Sequence, residues 1–212
     1  MSDLTADAEK SAQSKIALRS HLLTLRRSVP DTAADLLQDQ IIALVRRTGA
    51  RDIAAYVPVG SEPGGPDLPG RLVAALPADG RLLLPVLLPD HDLDWVAYTG
   101  ELRQASRGLR EPVGPRLGVA AVQHVDLLLV PALAVADDGI RMGRGGGSYD
   151  RVLSRLPTPG PLTVALLHDG ETLPSVPADP HDQPVQAVLT PSGGLSPRPV
   201  RSSVPEGRSD TP

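Results

Sequence analysis

The chain contains no cysteine and no phenylalanine, one tryptophan, three tyrosines and two methionines among 212 residues. Without cysteine there can be no disulfide, no zinc thiolate and no thiol nucleophile. Aromatics make up 2% of the chain, so the core must be built from Leu, Val, Ala and Ile, which the 41% hydrophobic content can supply. The longest apolar stretches, around Leu82–Leu88 and Leu127–Val135, are too short to span a bilayer. No early apolar run has the form of a signal peptide. The net charge of −4 leaves no basic excess of the kind that binds nucleic acid. His21, His91, His124, His168 and His181 show no metal-ligand spacing to one another. There is no Gly-x-Ser-x-Gly elbow, which argues against a serine hydrolase. A cytoplasmic protein with neither a membrane nor a nucleic-acid partner is the expectation.

What is present is a glycine loop flanked by arginines: Arg141-Met142-Gly143-Arg144-Gly145-Gly146-Gly147-Ser148-Tyr149-Asp150-Arg151. It follows an apolar run, Val125 to Pro131, that reads as a buried strand. Tyr149, Leu153 and Leu156 beyond it read as one face of a short helix. Strand, glycine loop and helix bring backbone N–H groups close to a phosphate. Arginine suits bidentate phosphate contact. Asp150 stands where a metal carried by a polyphosphate could be held. The loop matches neither the dinucleotide fingerprint nor the Gly-Lys-Ser/Thr of a P-loop. Taken alone it reads equally as a glycine-lined turn with Asp150 completing a helix start.

The rest of the chain reads as helices interleaved with apolar strands. Helices are predicted over Lys10–Arg27, from Thr32 to a stop at Gly49, and over Arg71–Leu76. Strands are predicted over Ile53–Val57, Leu82–Val86, Leu93–Tyr98, Leu162–Leu167 and Val185–Leu189. This alternation argues an α/β layered α/β/α fold with a largely parallel sheet. Residues 100–118 read as irregular. Residues 1–9 read as a flexible N-terminus, 10–192 as one catalytic domain, and 193–212 as a disordered tail rich in Pro, Ser, Gly and Arg. Lys15 and Arg19 share a helical face, as a solvated basic stripe or as an anion clamp. Glu62 lies in a loop. Trp95 could stack on a flat ring or anchor the core.

Five segments in order resemble the 5-formyltetrahydrofolate cyclo-ligase family, also called 5,10-methenyltetrahydrofolate synthetases. They are Lys15-Ile16-Ala17-Leu18-Arg19; Tyr56 to Glu62; Glu111-Pro112; Val130 to Val135 followed by Gly139 to Arg151; and Val176 to Val185 followed by Leu189-Thr190-Pro191. The family usually carries a second aromatic where Ser148 stands and an acid where Ala136 stands, with Asp137 and Asp138 following here.

The resemblance implies the sugar-phosphate-isomerase/CoA-transferase-like fold. It implies ATP-dependent cyclisation of 5-formyltetrahydrofolate to 5,10-methenyltetrahydrofolate, with ATP and Mg²⁺ required. On this reading Lys15, Arg19, Gly143, Arg144, Gly145, Gly146, Gly147, Ser148, Tyr149, Asp150 and Arg151 bind nucleotide. Arg144 and Tyr149 act in the reaction. Glu62, Trp95 and Tyr149 bind the folate, and Asp150 and Asp182 hold magnesium. A monomer is expected. The alternative is a non-catalytic folate or nucleotide-binding relative of the same fold.

Overall fold

A computed structural model describes residues 2–199, with side chains from residue 12 onward. Apolar runs with no polar alternation signal strands covered on both faces, and the central sheet is built from them. Its strands are β1 (Asp52–Ala54), β2 (Arg81–Leu87), β3 (Leu93–Ala97), β6 (Leu127–Pro131), β9 (Leu162–Leu166), β11 (Ala187–Thr190) and β12 (Gly194–Pro197). The intervening strands are β4 (Leu102–Gln104), β5 (Arg110–Pro112), β7 (Ala134–Ala136), β8 (Arg141–Met142) and β10 (Thr172–Leu173). The helices are α1 (Ser2–Leu25), α2 (Thr32–Thr48), α3 (Leu68–Ala75) and α4 (Ser148–Ser154).

The seven-stranded sheet runs β12-β11-β9-β6-β1-β2-β3. Its interior pairs are all parallel, and only the edge strands β12 and β3 are antiparallel. Alternate residues of each strand serve opposite cores. Leu127 and Leu129 face α2 and α3, joining Leu37, Ile41, Leu44 and Leu72. Leu128 and Val130 face the other side, with Val152 and Leu153 of α4, Val122 and Trp95. This is the expected α/β layering. Helix α2 stops where expected, with Gly49 in the left-handed region (φ 67°) returning its N–H to Val45 O at 3.0 Å. Among the described residues no helix is long and apolar enough to cross a membrane.

Several elements differ from expectation. Helix α1 begins at Ser2 rather than Lys10. Residues 100–118 include the hairpin β4–β5, paired Leu102↔Pro112 to Gln104↔Arg110. The run Leu127–Val135 splits: β6 stays in the central sheet, whereas β7 joins β10 and β8 in a separate three-stranded sheet. Leu22 of α1 packs on that sheet against Leu133, Ala134 and Met142. The glycine loop therefore follows the two-residue β8, not β6.

The tail reading is corrected at its start, because β12 pairs with β11 from Ala187↔Pro197 to Thr190↔Gly194. Residues 200–212 lie outside the described part. Truncation after Ser192 would strip β12 and bare the edge of β11. It is expected to cost about 2 kcal/mol, lowering the melting temperature by roughly 4–8 °C. Truncation after Pro199 should leave it unchanged. Thermal denaturation of the two truncated chains checks this, and equal melting temperatures would contradict it.

Candidate active site

In a sheet of this kind, ligands bind beyond the carboxyl ends of the strands, where chain order reverses direction across the sheet. That point lies between β1 and β6, since β2 is on one side of β1 and β6 on the other. A cavity of about 510 Å³ opens there, within the range of small-molecule sites. Residues after β1 (Tyr56, Val57, Val59, Glu62), after β6 (Ala132, Leu133) and in the glycine loop line it. Lys15 and Arg19 reach it from α1 and Arg26 from the turn that follows α1, and Asp179, His181 and Asp182 close another side.

The glycine loop crosses from β8 to α4 with Gly145 (φ 100°) and Gly147 (φ 68°) in the left-handed region, where a side chain would be strained. Arg19 Nε donates to Gly143 O at 2.9 Å, so α1 holds the loop's entry. Lys15 Nζ donates to Asp179 Oδ2 at 2.6 Å and Asp182 Oδ2 at 2.7 Å. Burial alone would raise the Asp182 carboxyl. The Lys15 ammonium and the Asp179 N–H outweigh it and hold the group below its ordinary 3.8. Burial likewise opposes the Lys15 charge, but the two carboxylates more than compensate and raise its pKa.

Glu62 is mostly enclosed. Its Oε2 accepts from Val59 N at 2.9 Å, and Oε1 is 3.4 Å from Arg144 Nε. Burial pushes its carboxyl above the ordinary 4.5, against the pull of the Val59 N–H, Arg144 and Arg26. Tyr149 packs against both cores and its buried hydroxyl has no partner. Burial raises its pKa far above the usual phenol range, so near neutral pH the group stays a neutral phenol that can donate a hydrogen bond.

Lys15, Arg19, Glu62, Asp182 and every residue from Gly143 to Asp150 line the one cavity. Two expected residues do not. Trp95 is fully buried on β3 within the core beneath the sheet, so the anchor role prevails over ring stacking. Arg151 is exposed on α4 and outside the cavity wall. The two expected metal ligands sit close in the chain path, since Gln183 N, next to Asp182, donates to Asp150 Oδ1 at 3.3 Å. Their surroundings differ, however. Asp150 Oδ1 is paired with Arg141 Nη2 at 2.9 Å. Asp182 groups with Asp179 and His181, whose ligand atoms lie within 4.8 Å of one another.

Residues beyond those singled out also line the wall, among them Arg26, Tyr56, Arg141, Asp179 and His181. Arg26 is buried, with Nε 2.6 Å from Glu171 Oε1 and Nη2 donating to Glu171 Oε2 (2.9 Å) and to Ala132 O (2.5 Å). No local pattern could announce a pair 145 residues apart. The Asp179-x-His181-Asp182 run was a visible signal, since a short loop can turn such closely spaced donors toward one point.

Comparison with known proteins accords with this geometry. A model of the 5-formyltetrahydrofolate cyclo-ligase family matches residues 11–191. A 5-formyltetrahydrofolate cyclo-ligase of Mycolicibacterium smegmatis is 41% identical over 195 residues, covering 87% of this chain and 97% of that one. One from Escherichia coli K12 is 33% identical over 119 residues, covering 54% and 65% respectively. The solved structure of a 5,10-methenyltetrahydrofolate synthetase from Aquifex aeolicus superposes with a TM-score of 0.69 at 24% identity, over 93% of this chain and 99% of that one. A Mycoplasma pneumoniae synthetase gives 0.62 at 19% identity, over 84% and 98%. With the family model spanning nearly the whole described domain, the chain belongs to the 5-formyltetrahydrofolate cyclo-ligase family.

Proposed function

We propose that the protein converts 5-formyltetrahydrofolate and ATP into 5,10-methenyltetrahydrofolate, ADP and phosphate. The observation that carries this reading is the convergence of a cationic glycine loop and an enclosed carboxylate, Glu62, on one cavity. The chemistry needs both. A formamide oxygen is a poor leaving group, and transfer of the terminal phosphoryl group to it makes it a good one. N10 then attacks the formyl carbon and loses its proton, and the oxygen departs with phosphate. The protein's work is alignment and charge stabilisation, and no covalent nucleophile is required.

Loop N–H groups from Gly143 to Gly147, with Lys15, Arg19 and Arg144, would hold the polyphosphate. Glu62 would accept hydrogen bonds from the pterin ring, and Tyr149 would donate to substrate. The residues fit a divalent cation, because Asp150, Asp179, His181 and Asp182 share the cavity wall and the Lys15 ammonium already rests between two of them. Magnesium, held by Asp182 and Asp150, would neutralise phosphate charge. The methenyl product absorbs in the near ultraviolet, so its formation with and without Mg-ATP tests the reading. Folate binding without nucleotide-dependent product would instead favour a non-catalytic binding protein.

The raised pKa of Glu62 carries a stability consequence. A carboxyl whose folded pKa lies above its ordinary value favours folding below that value, and this contribution is lost as pH rises through the folded pKa. Above its ordinary pKa the group therefore costs stability relative to a neutral side chain. Glu62→Gln should keep or raise the melting temperature at pH 7 while weakening 5-formyltetrahydrofolate binding about 10- to 100-fold, the loss of a charged hydrogen-bond acceptor. A parallel thermal melt and folate titration checks both. A marked fall in melting temperature with unchanged affinity would make Glu62 a structural residue.

A further inference from the structure

Glu62 stands on a turn with little of its own to hold it. Val59 to Glu62 closes on one backbone hydrogen bond, Glu62 N to Val59 O at 3.3 Å, with Gly60 in the left-handed region (φ 60°). The Glu62 carboxylate folds back on the same turn, accepting from Val59 N. None of these bonds ties the turn to the rest of the domain. The carbonyls on either side of Glu62 do so, because each is taken by a buried side chain from outside the turn. The Tyr56 hydroxyl donates to Pro63 O at 2.7 Å. His168 Nε2 lies 3.1 Å from Ser61 O, and since a carbonyl oxygen only accepts, that nitrogen carries the proton. Nδ1 of the same ring is buried without a partner, so Ser61 O takes the ring's single hydrogen bond among the described residues.

Both side chains stand on the sheet. Tyr56 follows β1 and His168 follows β9, the strands on either side of β6. His168 N donates to Glu171 Oε2 at 2.8 Å and Glu171 N to His168 O at 3.3 Å, so the base of the ring is fixed as well. Burial raises the Tyr56 phenol well above its ordinary value, and its hydroxyl remains a donor throughout the working range. That hydroxyl is spent on Pro63 O, and His168 is absent from the cavity wall, so neither donor is free for a ligand. The geometry points to Tyr56 and His168 as positioning residues, a two-point clamp that fixes the Glu62 carboxylate for the pterin. This rests on the reading of Glu62 above as the pterin's acceptor. A binding group works when held within about 0.5 Å of its productive position by side chains that are themselves locked, and a glycine-containing turn supplies no such rigidity.

The test measures binding of 5-formyltetrahydrofolate and of Mg-ATP to the full chain by calorimetry, with thermal melts alongside. Tyr56→Phe removes one hydroxyl, His168→Leu removes the ring donor, and His168→Gln returns an N–H donor near the place of Nε2. Tyr56→Phe/His168→Leu is expected to weaken folate binding about 10- to 100-fold, with Mg-ATP affinity within about twofold. His168→Gln should recover most of the loss seen in His168→Leu. A clamp acting through Glu62 has nothing to position once that side chain is gone. In a Glu62→Ala background the same double variant should therefore change folate affinity by less than about twofold. An equal loss in that background, an equal loss of Mg-ATP affinity, or wild-type folate affinity in the double variant would each overturn the assignment. Should the double variant fail to fold, Tyr56→Phe alone carries the comparison, with an expected folate loss of about 3- to 10-fold. Failure of Tyr56→Phe to fold would make the clamp a folding element and overturn the assignment too. If Glu62→Ala binds folate like the wild type, the reading of Glu62 falls and the clamp with it. If Glu62→Ala weakens binding and the clamp variants do not, the clamp alone falls.

Discussion

Replacing Arg144 with alanine is expected to cut turnover by three to five powers of ten while leaving the fold intact. Its guanidinium is about half exposed and its contact with Glu62 is 3.4 Å long. Pairs of that kind contribute roughly 0–1 kcal/mol, so the melting temperature should barely move. The side chain sits between glycines and serves no core. At a transferring phosphoryl group, a positioned arginine is worth about 10³–10⁵ in rate. The pairing with Glu62 also links the two halves of the site. On the proposed reading, Arg144 would leave Glu62 as the phosphate charge arrives and so free the carboxylate for the pterin. Steady-state kinetics should show the loss in kcat, with folate binding still measurable. Turnover near wild type would move the phosphoryl-transfer site away from the loop.

Glu171→Gln should have the largest effect on stability. Arg26 and Glu171 are both buried and joined by two hydrogen bonds, and Glu171 Oε2 also accepts from His168 N at 2.8 Å. Neutralising the acid leaves the Arg26 charge buried and uncompensated, a change that typically costs about 3–5 kcal/mol. For a chain of this size the melting temperature should fall on the order of 10 °C. Removing both charges is far less harmful than removing one, so Arg26→Met/Glu171→Leu should recover much of the loss. A Glu171→Gln protein that melts with the wild type would mean that the pair contributes nothing. The pair fastens the end of α1 to the segment after β9, so activity should track the fold in these variants.

These two arginines mark the boundary of what the sequence discloses. Arg144 was legible because it interrupts a run of glycines, a local anomaly with a chemical reason. Arg26 was not, because its meaning lies in an acid 145 residues away. The same division runs through the fold. Helix α2, with its apolar face and terminal Gly49, and the doubly covered strands β2 and β6 follow from local pattern. Strands β8 and β10, two residues each, exist only because β7 lies between them. β12 carries no apolar run, and its pairing with β11 is decided by the sheet edge it meets. In the site, Lys15 and Arg19, Glu62, and the loop converge from three separate segments, an arrangement that ordered motifs anticipate but spacing alone cannot. Trp95 was drawn toward the substrate by the scarcity of other aromatics, yet the same scarcity makes its bulk valuable to the core, where it lies.

The central claim is that the formyl oxygen itself takes the phosphoryl group, and an isotope measurement reaches it directly. 5-Formyltetrahydrofolate labelled with ¹⁸O at the formyl group is turned over with Mg-ATP, and the released phosphate is analysed by mass spectrometry. If the glycine loop and its arginines deliver the phosphoryl group to that oxygen, the label appears in inorganic phosphate, one atom for each methenyl product formed. Label recovered in water, with unlabelled phosphate, would contradict the account.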